Sequence, residues 1–259
     1  MSFADLSDVR IHFSLTGPDD APVLVLSNSL GANFSMWDPQ LRPLNARFRL
    51  LRYDTRGHGQ SSVTPGPYNI ELLANDVLRL LDALHLDRVH FCGLSMGGQT
   101  GICLALHVTN RLEKLILCNT GAKIGTLDAW NTRVDAVLAR GTKDVSAAVV
   151  SRWFTAPFAS KNPAVVDGAR AMIESTSPLG YTANCAAIRD YDARMRLPSI
   201  AVRTLVISGT HDLATPAADG RFLADHIPGA RFLELPAAHL SNIECAAEFN
   251  VAVEEFLLS

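Results

Sequence analysis

Much that would announce a function is missing from these 259 residues. No apolar run approaches the roughly 20 residues a membrane-spanning helix needs. The opening MSFADLSDVRIHFSL carries early acids and no apolar stretch of the kind a signal peptide uses. Neither sign of charge is in excess. With 23 Lys and Arg against 26 Asp and Glu, the net charge is −3 and the pI near 6.2. No basic cluster marks a surface for nucleic acid or lipid. The five cysteines, Cys92, Cys103, Cys118, Cys185 and Cys245, are odd in number and show no C-x-x-C spacing. Three of them lie in apolar stretches, which suits reduced, buried thiols. No H-E-x-x-H or similar cluster offers a metal site. These absences lead to an expectation of a soluble, cytoplasmic protein that needs no metal or cofactor and binds neither nucleic acid nor membrane. A small molecule is its expected partner.

What is present is a core. At 48% apolar and 19% charged, the chain can fill one large domain, or one domain carrying an insertion. VRIHFSLTG alternates and closes in TGPDD, the pattern of a hairpin strand. PVLVLSN (22–28), RFRLLRYD (47–54), RVHFCGL (88–94) and LEKLILCNT read as strands. The first is apolar without interruption, as a strand buried on both faces would be. Leu73, Val77, Leu80 and Leu84 recur at helical spacing in NIELLANDVLRLLDALHLD, and SMGGQTGICLALHV is a second helix. Buried strands alternating with helices predict an α/β fold: a mostly parallel sheet with helices on both faces. The rhythm breaks after Thr120. Residues 121–197, including LDAWNTRVDAVLAR, read as short helices inserted between a core of 1–120 and 198–259. Sheet rhythm resumes at VRTLVISG (202–209), then ARFLELP (230–236), with a last helix from Ser241, where Ser241 and Glu244 fit a capping box. The inserted helices are expected to form a lid.

The sharpest chemical signal is FCGLSMGGQ, where Gly93-x-Ser95-x-Gly97 joins a strand to a helix. A nucleophile on so tight a turn needs small neighbours, and the turn lifts its hydroxyl above the sheet edge at a helix N-terminus. A serine also needs a base and an orienting acid, which in this arrangement follow it in the order acid, then His. Asp212, just past a strand in LVISGTHDLATP, precedes a helix that Thr215 can cap with Pro216 at its first position. His239 lies just past the next strand in LELPAAHLSN. All three fall at the carboxyl edge, where open α/β sheets place their sites. Of the other histidines, His85 and His226 sit near helix ends, and His90 and His107 inside a strand and a helix. His211 precedes Asp212 and breaks the order. Asp54 ends a strand ahead of the serine, so DTRGHGQS reads as a structural loop.

These segments together resemble the α/β-hydrolase superfamily over essentially the whole chain. The closer resemblance is to 3-oxoadipate enol-lactonases, carried by LSNSLGANFSMWDPQ, RYDTRGHGQSS, GLSMGGQTG, CNTGAKIGTLDAWNTRV, SGTHDLATPAADGRFLADHIPGA and LPAAHLSNIE. It implies an α/β-hydrolase fold and a serine hydrolase that opens a carboxylate-bearing enol-lactone with water, within the protocatechuate (β-ketoadipate) route of aromatic catabolism. It also implies an oxyanion hole from the N–H groups of Met96 and Leu30. Ser29 then lies in a loop where lipases and many relatives carry a His-Gly pair, either touching the lactone or bracing the loop. The substrate carboxylate calls for a lid cation, with Arg133 and Arg189 as candidates beside Trp130 and Trp153. The same triad would serve an esterase, a hydrolase of carbon–carbon bonds in ring-cleavage products, or a lactone sensor. Ser95 argues against the fold's Asp-nucleophile enzymes, and Cys92, inside the strand, is not placed as a nucleophile.

Overall fold

The computed structural model describes residues 2–259. Its strands are β1 (Ser2–Leu6), β2 (Val9–Thr16), β3 (Val23–Ser27), β4 (Arg49–Tyr53), β5 (Val89–Leu94), β6 (Leu112–Cys118), β7 (Thr204–Gly209) and β8 (Arg231–Leu235). They form one eight-stranded sheet in the order β1-β2-β4-β3-β5-β6-β7-β8. The alternating VRIHFSLT segment is β2, paired antiparallel to β1 and to β4. Every pairing from β4 to β8 is parallel. The uninterrupted apolar runs behave as expected, with Leu24, Val25 and Leu26 of β3 wholly buried. Each such side chain contributes about 1.5–3 kcal/mol relative to remaining exposed. β3 lies between β4 and β5, so strand order reverses there and opens a crevice at the carboxyl ends of β3 and β5.

The helices of the sheet layer are α1 (Asp38–Leu44), α2 (Ile70–Ala83) and α3 (Met96–His107). In α2 the periodic Leu73, Val77 and Leu80 are buried, while Leu84 falls just past its end. The Asn69 side chain accepts the Leu72 N–H at 2.7 Å, a cap of about 1 kcal/mol. Between β6 and β7 lie α4 (Leu127–Arg140), α5 (Thr142–Val150), α6 (Ala156–Lys161), α7 (Pro163–Ser175) and α8 (Pro178–Asp190). They pack on one another, α4 against α8 and α5 against α7. The chain closes with α9 (Ala217–His226), α10 (Ser241–Glu244) and α11 (Ala246–Leu258).

Several contacts tie α8 to the sheet layer, among them the Tyr68 N–H donating to the Ala183 carbonyl at 3.2 Å. The backbone of α8 lies directly on the loop after β4: a Cβ on Gly180 would stand 2.2 Å from the Gly57 carbonyl oxygen. Beside it, Asn184 Nδ2 donates to the Arg56 carbonyl at 2.8 Å. The expected capping box at Ser241 does not form. Ser241 is already inside α10, and its hydroxyl donates to Asn119 Oδ1 at 2.5 Å. Glu244 instead accepts the Ala238 N–H at 2.9 Å and binds Thr155, so it joins the β8 loop to the inserted helices. Longer-range partners outcompete the local cap. No helix among the described residues is long and apolar enough to cross a membrane.

Candidate active site

Ser95 occupies the turn between β5 and α3 with φ 60° and ψ −115°. A positive φ at a residue with a Cβ costs of order 1–3 kcal/mol and persists only where its surroundings hold it. Here the Ser95 N–H donates to the Cys118 carbonyl at 2.9 Å, and its own carbonyl accepts the Thr120 hydroxyl at 2.7 Å. The flanking glycines are obligatory. A Cβ on Gly93 would lie 2.1 Å from the Gly97 carbonyl oxygen, and one on Gly97 2.3 Å from that of Ser27. No real Cβ survives at such distances, so the small-residue spacing follows from packing.

Asp212 and His239 follow β7 and β8. His239 Nδ1 donates to Asp212 Oδ2 at 2.8 Å, which leaves Nε2 as the acceptor nitrogen. Nε2 lies 3.5 Å from the Ser29 hydroxyl and, with Ser95, faces a single cavity. Asp212 is held on every side. Its Oδ1 accepts the N–H groups of Ala214 (2.8 Å) and Thr215 (3.0 Å). Its Oδ2 accepts the Thr215 hydroxyl (2.7 Å) and Asn119 Nδ2 (3.0 Å). Burial alone would raise this carboxyl, but His239 and these donors together lower it to about 2. Thr215 therefore does not cap α9, whose N-cap is Pro216. Its hydroxyl donates to the Asp212 carboxylate and accepts no N–H from α9.

In the loop after β3, the Gly31 N–H donates to His58 Nε2 at 2.8 Å, the Ala32 N–H to the Ser29 carbonyl, and the Ser29 N–H to Met36 Sδ. Among the described residues the Leu30 N–H has no acceptor, and Leu30 lines the cavity. The Met96 N–H is the first of α3, so it has no acceptor within the helix. Both amides expected to form an oxyanion hole are therefore without an acceptor among the described residues.

The cavity, about 110 Å³, is lined on the sheet side by Ser29, Leu30, Ser95 and His239. The inserted helices contribute Trp130, Arg133, Arg152, Trp153 and Tyr181. Trp130 is fixed by its indole N–H, which donates to the Ile124 carbonyl at 2.7 Å, and the Arg133 guanidinium stacks over its ring at 4.9 Å. The structure separates the two expected arginines. Arg133 reaches the cavity, whereas Arg189 is bound by Asp190 at 2.7 Å and by Asn131 at 3.0 Å, and it borders a different groove. An adjacent carboxylate holds that guanidinium at the surface. No cluster of potential metal ligands occurs among the described residues.

The alpha/beta hydrolase fold family matches residues 22–246. The chain belongs to the α/β-hydrolase family. It is 41% identical over 247 residues to 3-oxoadipate enol-lactonase 2 of Acinetobacter baylyi, covering 95% of this chain and 92% of that one. Among solved structures, the enol-lactonase from Burkholderia xenovorans LB400 superimposes with a TM-score of 0.98 at 46% identity, over 100% of both chains. A hydrolase from Pseudomonas aeruginosa PA01 follows, with a TM-score of 0.97 at 45% identity over 100% of this chain and 98% of that one. This member of the family is a hydrolase.

Several residues at the site escaped the sequence reading. Asn119, at the end of β6, bridges Asp212 and the Ala238 carbonyl. Its only signal is a polar residue at the end of an apolar strand. Arg152 lies beside Trp153 in SRWF and enters the cavity from α5's end. Burial lowers its pKa, and the neighbouring charge of Arg133 lowers it further. Tyr181 is wholly buried, with no hydrogen-bond partner for its hydroxyl among the described residues. Burial raises that phenol to about 12, against the pull of Arg133. Neither residue stands in a motif. The Asp54 carboxylate braces its loop, accepting from Phe34, Gln60 and His12.

Proposed function

We propose that this hydrolase opens the ring of 3-oxoadipate enol-lactone with water to give 3-oxoadipate, in the β-ketoadipate route of aromatic catabolism. The observation that carries this reading is the lining of the cavity, which combines Ser95 and His239 from the sheet layer with Arg133, Arg152 and Tyr181 from the inserted segment. An ester carbonyl suits the first set and a free carboxylate the second. The enol-lactonase relatives support the same substrate.

In this reading His239 Nε2 takes the Ser95 proton as Oγ attacks the lactone carbonyl, and Asp212 stabilises the imidazolium. The N–H groups of Leu30 and Met96 hold the oxyanion, each worth about 3–4 kcal/mol. Collapse expels the ring oxygen as an enolate, which His239 protonates and which relaxes to the ketone. A water deprotonated by His239 then cleaves the acyl-enzyme and returns Ser95. Residues 121–197 act as the lid, presenting the cations and excluding bulk water.

The deciding experiment compares kcat/KM on the enol-lactone, a simple aryl ester and a carbon–carbon ring-cleavage product, with Ser95→Ala as control. Preference for the enol-lactone with multiple turnovers, abolished in folded Ser95→Ala, is expected. Undiminished turnover in that variant overturns the role of Ser95, and preference for either other substrate overturns the lactone.

A further inference from the structure

His58 lies in DTRGHGQS, a loop with no part in the chemistry above, yet it touches the loop that carries Leu30. The Gly31 N–H donates to its Nε2 at 2.8 Å. An imidazole nitrogen accepts a hydrogen bond only with its lone pair free, so the geometry requires the neutral tautomer protonated at Nδ1. The other side of the ring is arranged for that tautomer. Nδ1 lies 3.5 Å from the Arg56 carbonyl, an acceptor. Asn184 of α8, whose Nδ2 lies 3.4 Å away, spends its protons on the carbonyls of Arg56 and Gly180, both at 2.8 Å. The ring is 1% exposed, and burial lowers its pKa to about 4, which agrees with the neutral form the geometry requires.

The bond controls which amide faces the cavity. Gly31 turns with φ +81°, and a Cβ there would meet the Tyr181 ring at 3.1 Å and Ile173 at 3.2 Å. The peptide is buried, so its N–H must find an acceptor or carry a desolvation penalty of about 1–3 kcal/mol. With His58 as acceptor it points away from the site, and Leu30 is left with its N–H uncommitted. Without that acceptor the Gly31 amide gains by rotating toward any developing anion, and the adjoining peptide rotates with it. Resting on the acyl-transfer reading of Ser95, we infer that His58 is a positioning residue. Its neutral imidazole fixes Gly31 so that the Leu30 N–H is aimed at the oxyanion, and Asn184 anchors the brace to α8.

The test uses His58→Leu, which removes the acceptor, and His58→Gln, whose side-chain oxygen can replace Nε2. An aryl acetate, which needs only acyl transfer at Ser95, reports kcat and KM. An aryl trifluoromethyl ketone serves as oxyanion probe: Ser95 Oγ bonds to its carbonyl carbon, the serine proton passes to His239, and the former carbonyl oxygen becomes the anion. Losing a whole oxyanion donor costs about 10²–10³ in kcat. A misaimed one should therefore lower kcat by about 10–100-fold in His58→Leu, with KM little changed and ketone affinity falling in parallel. His58→Gln should recover most of both. Unchanged kcat in His58→Leu, or a loss confined to KM, overturns the inference, as does a glutamine variant equally impaired in kcat and ketone binding. Imidazole ¹⁵N spectra of the wild type provide an arm independent of folding in the variants. They should show His58 Nε2 unprotonated at neutral pH, and a protonated Nε2 overturns the inference. A wild type that hydrolyses the aryl acetate but leaves the enol-lactone intact overturns the proposed substrate and leaves the role of His58 standing.

Discussion

Folding stability should fall steeply between pH 6.5 and about 4.5, and two buried histidines should cause it. Burial lowers His58 and His90 from 6.5 to about 4, with the Lys114 charge adding to the effect at His90. In this window the unfolded chain binds a proton on each ring and the native state does not. Stability therefore declines as pH falls from the unfolded value through the folded one. Each group supplies a slope of up to ~1.4 kcal/mol per pH unit, or ~3 kcal/mol over the 2.5-unit gap. Over the two units from pH 6.5 to 4.5 the pair together loses at most ~5 kcal/mol, against a domain stability of about 5–15 kcal/mol. Burial raises Asp76 and Asp219, which oppose the fall because they gain protons in the native state first. Asp212 and Asp8, both lowered to about 2, contribute only below the ordinary carboxylate value of 3.8. His90 isolates one source cleanly, because its Nδ1 has no hydrogen-bond partner and replacing it strands nothing. Denaturant midpoints of wild type and His90→Leu from pH 7 to 4.5 are the assay. The variant should match wild type within about 1 kcal/mol at neutral pH and show about half its pH slope. A flat wild-type profile, or a full slope in His90→Leu, refutes the reasoning.

Three further outcomes follow from the site. Asp212→Asn should preserve the fold and lower kcat by about 10⁴-fold, since an amide does not hold His239 in the required tautomer; stopped-flow turnover measures it. Arg133→Met and Arg152→Met should each raise KM about tenfold for a lactone bearing a carboxylate, the loss of one charge-assisted bond. Neither should alter KM for a neutral lactone, so an equal effect on both substrates would remove the arginines from carboxylate binding. Gly180→Ala should lower thermal stability by several degrees, because its Cβ would enter the Gly57 carbonyl at a cost of about 1–3 kcal/mol. A melting temperature equal to wild type would show that the two backbones separate freely.

The parts of the fold legible in the sequence were those with local causes. β3 and β5 announced themselves as apolar runs, α2 by its periodic leucines, and the Ser95 elbow by glycines whose missing Cβ atoms the packing demands. Asp212 and His239 could be located because each ends a strand, and strand ends converge on one edge. What stayed hidden depends on contacts between distant segments. Arg189 and Arg133 both lie on the inserted helices, and it is the bond of Arg189 to Asn131 on α4, 58 positions away, with its neighbour Asp190, that separates the two. Ser241 carries the local signature of a cap, yet its hydroxyl is taken by Asn119, 122 positions away, while that of Thr215 turns back to Asp212 in its own loop. Arg152 and Tyr181 enter the cavity through the packing of helices whose order the sequence shows but whose crossing it does not.

The abutment of Gly57 on Gly180 has a bearing on modularity. Helices inserted between two strands look like an exchangeable cassette, joined to the core by two chain crossings. Here the cassette also leans on the core through bare backbone, between residues far in sequence from either crossing. A chimera that borrowed this insertion from another member of the family would need a glycine at that position of the helix and an amide one turn later. Without them the roof would sit high, however well its ends were spliced.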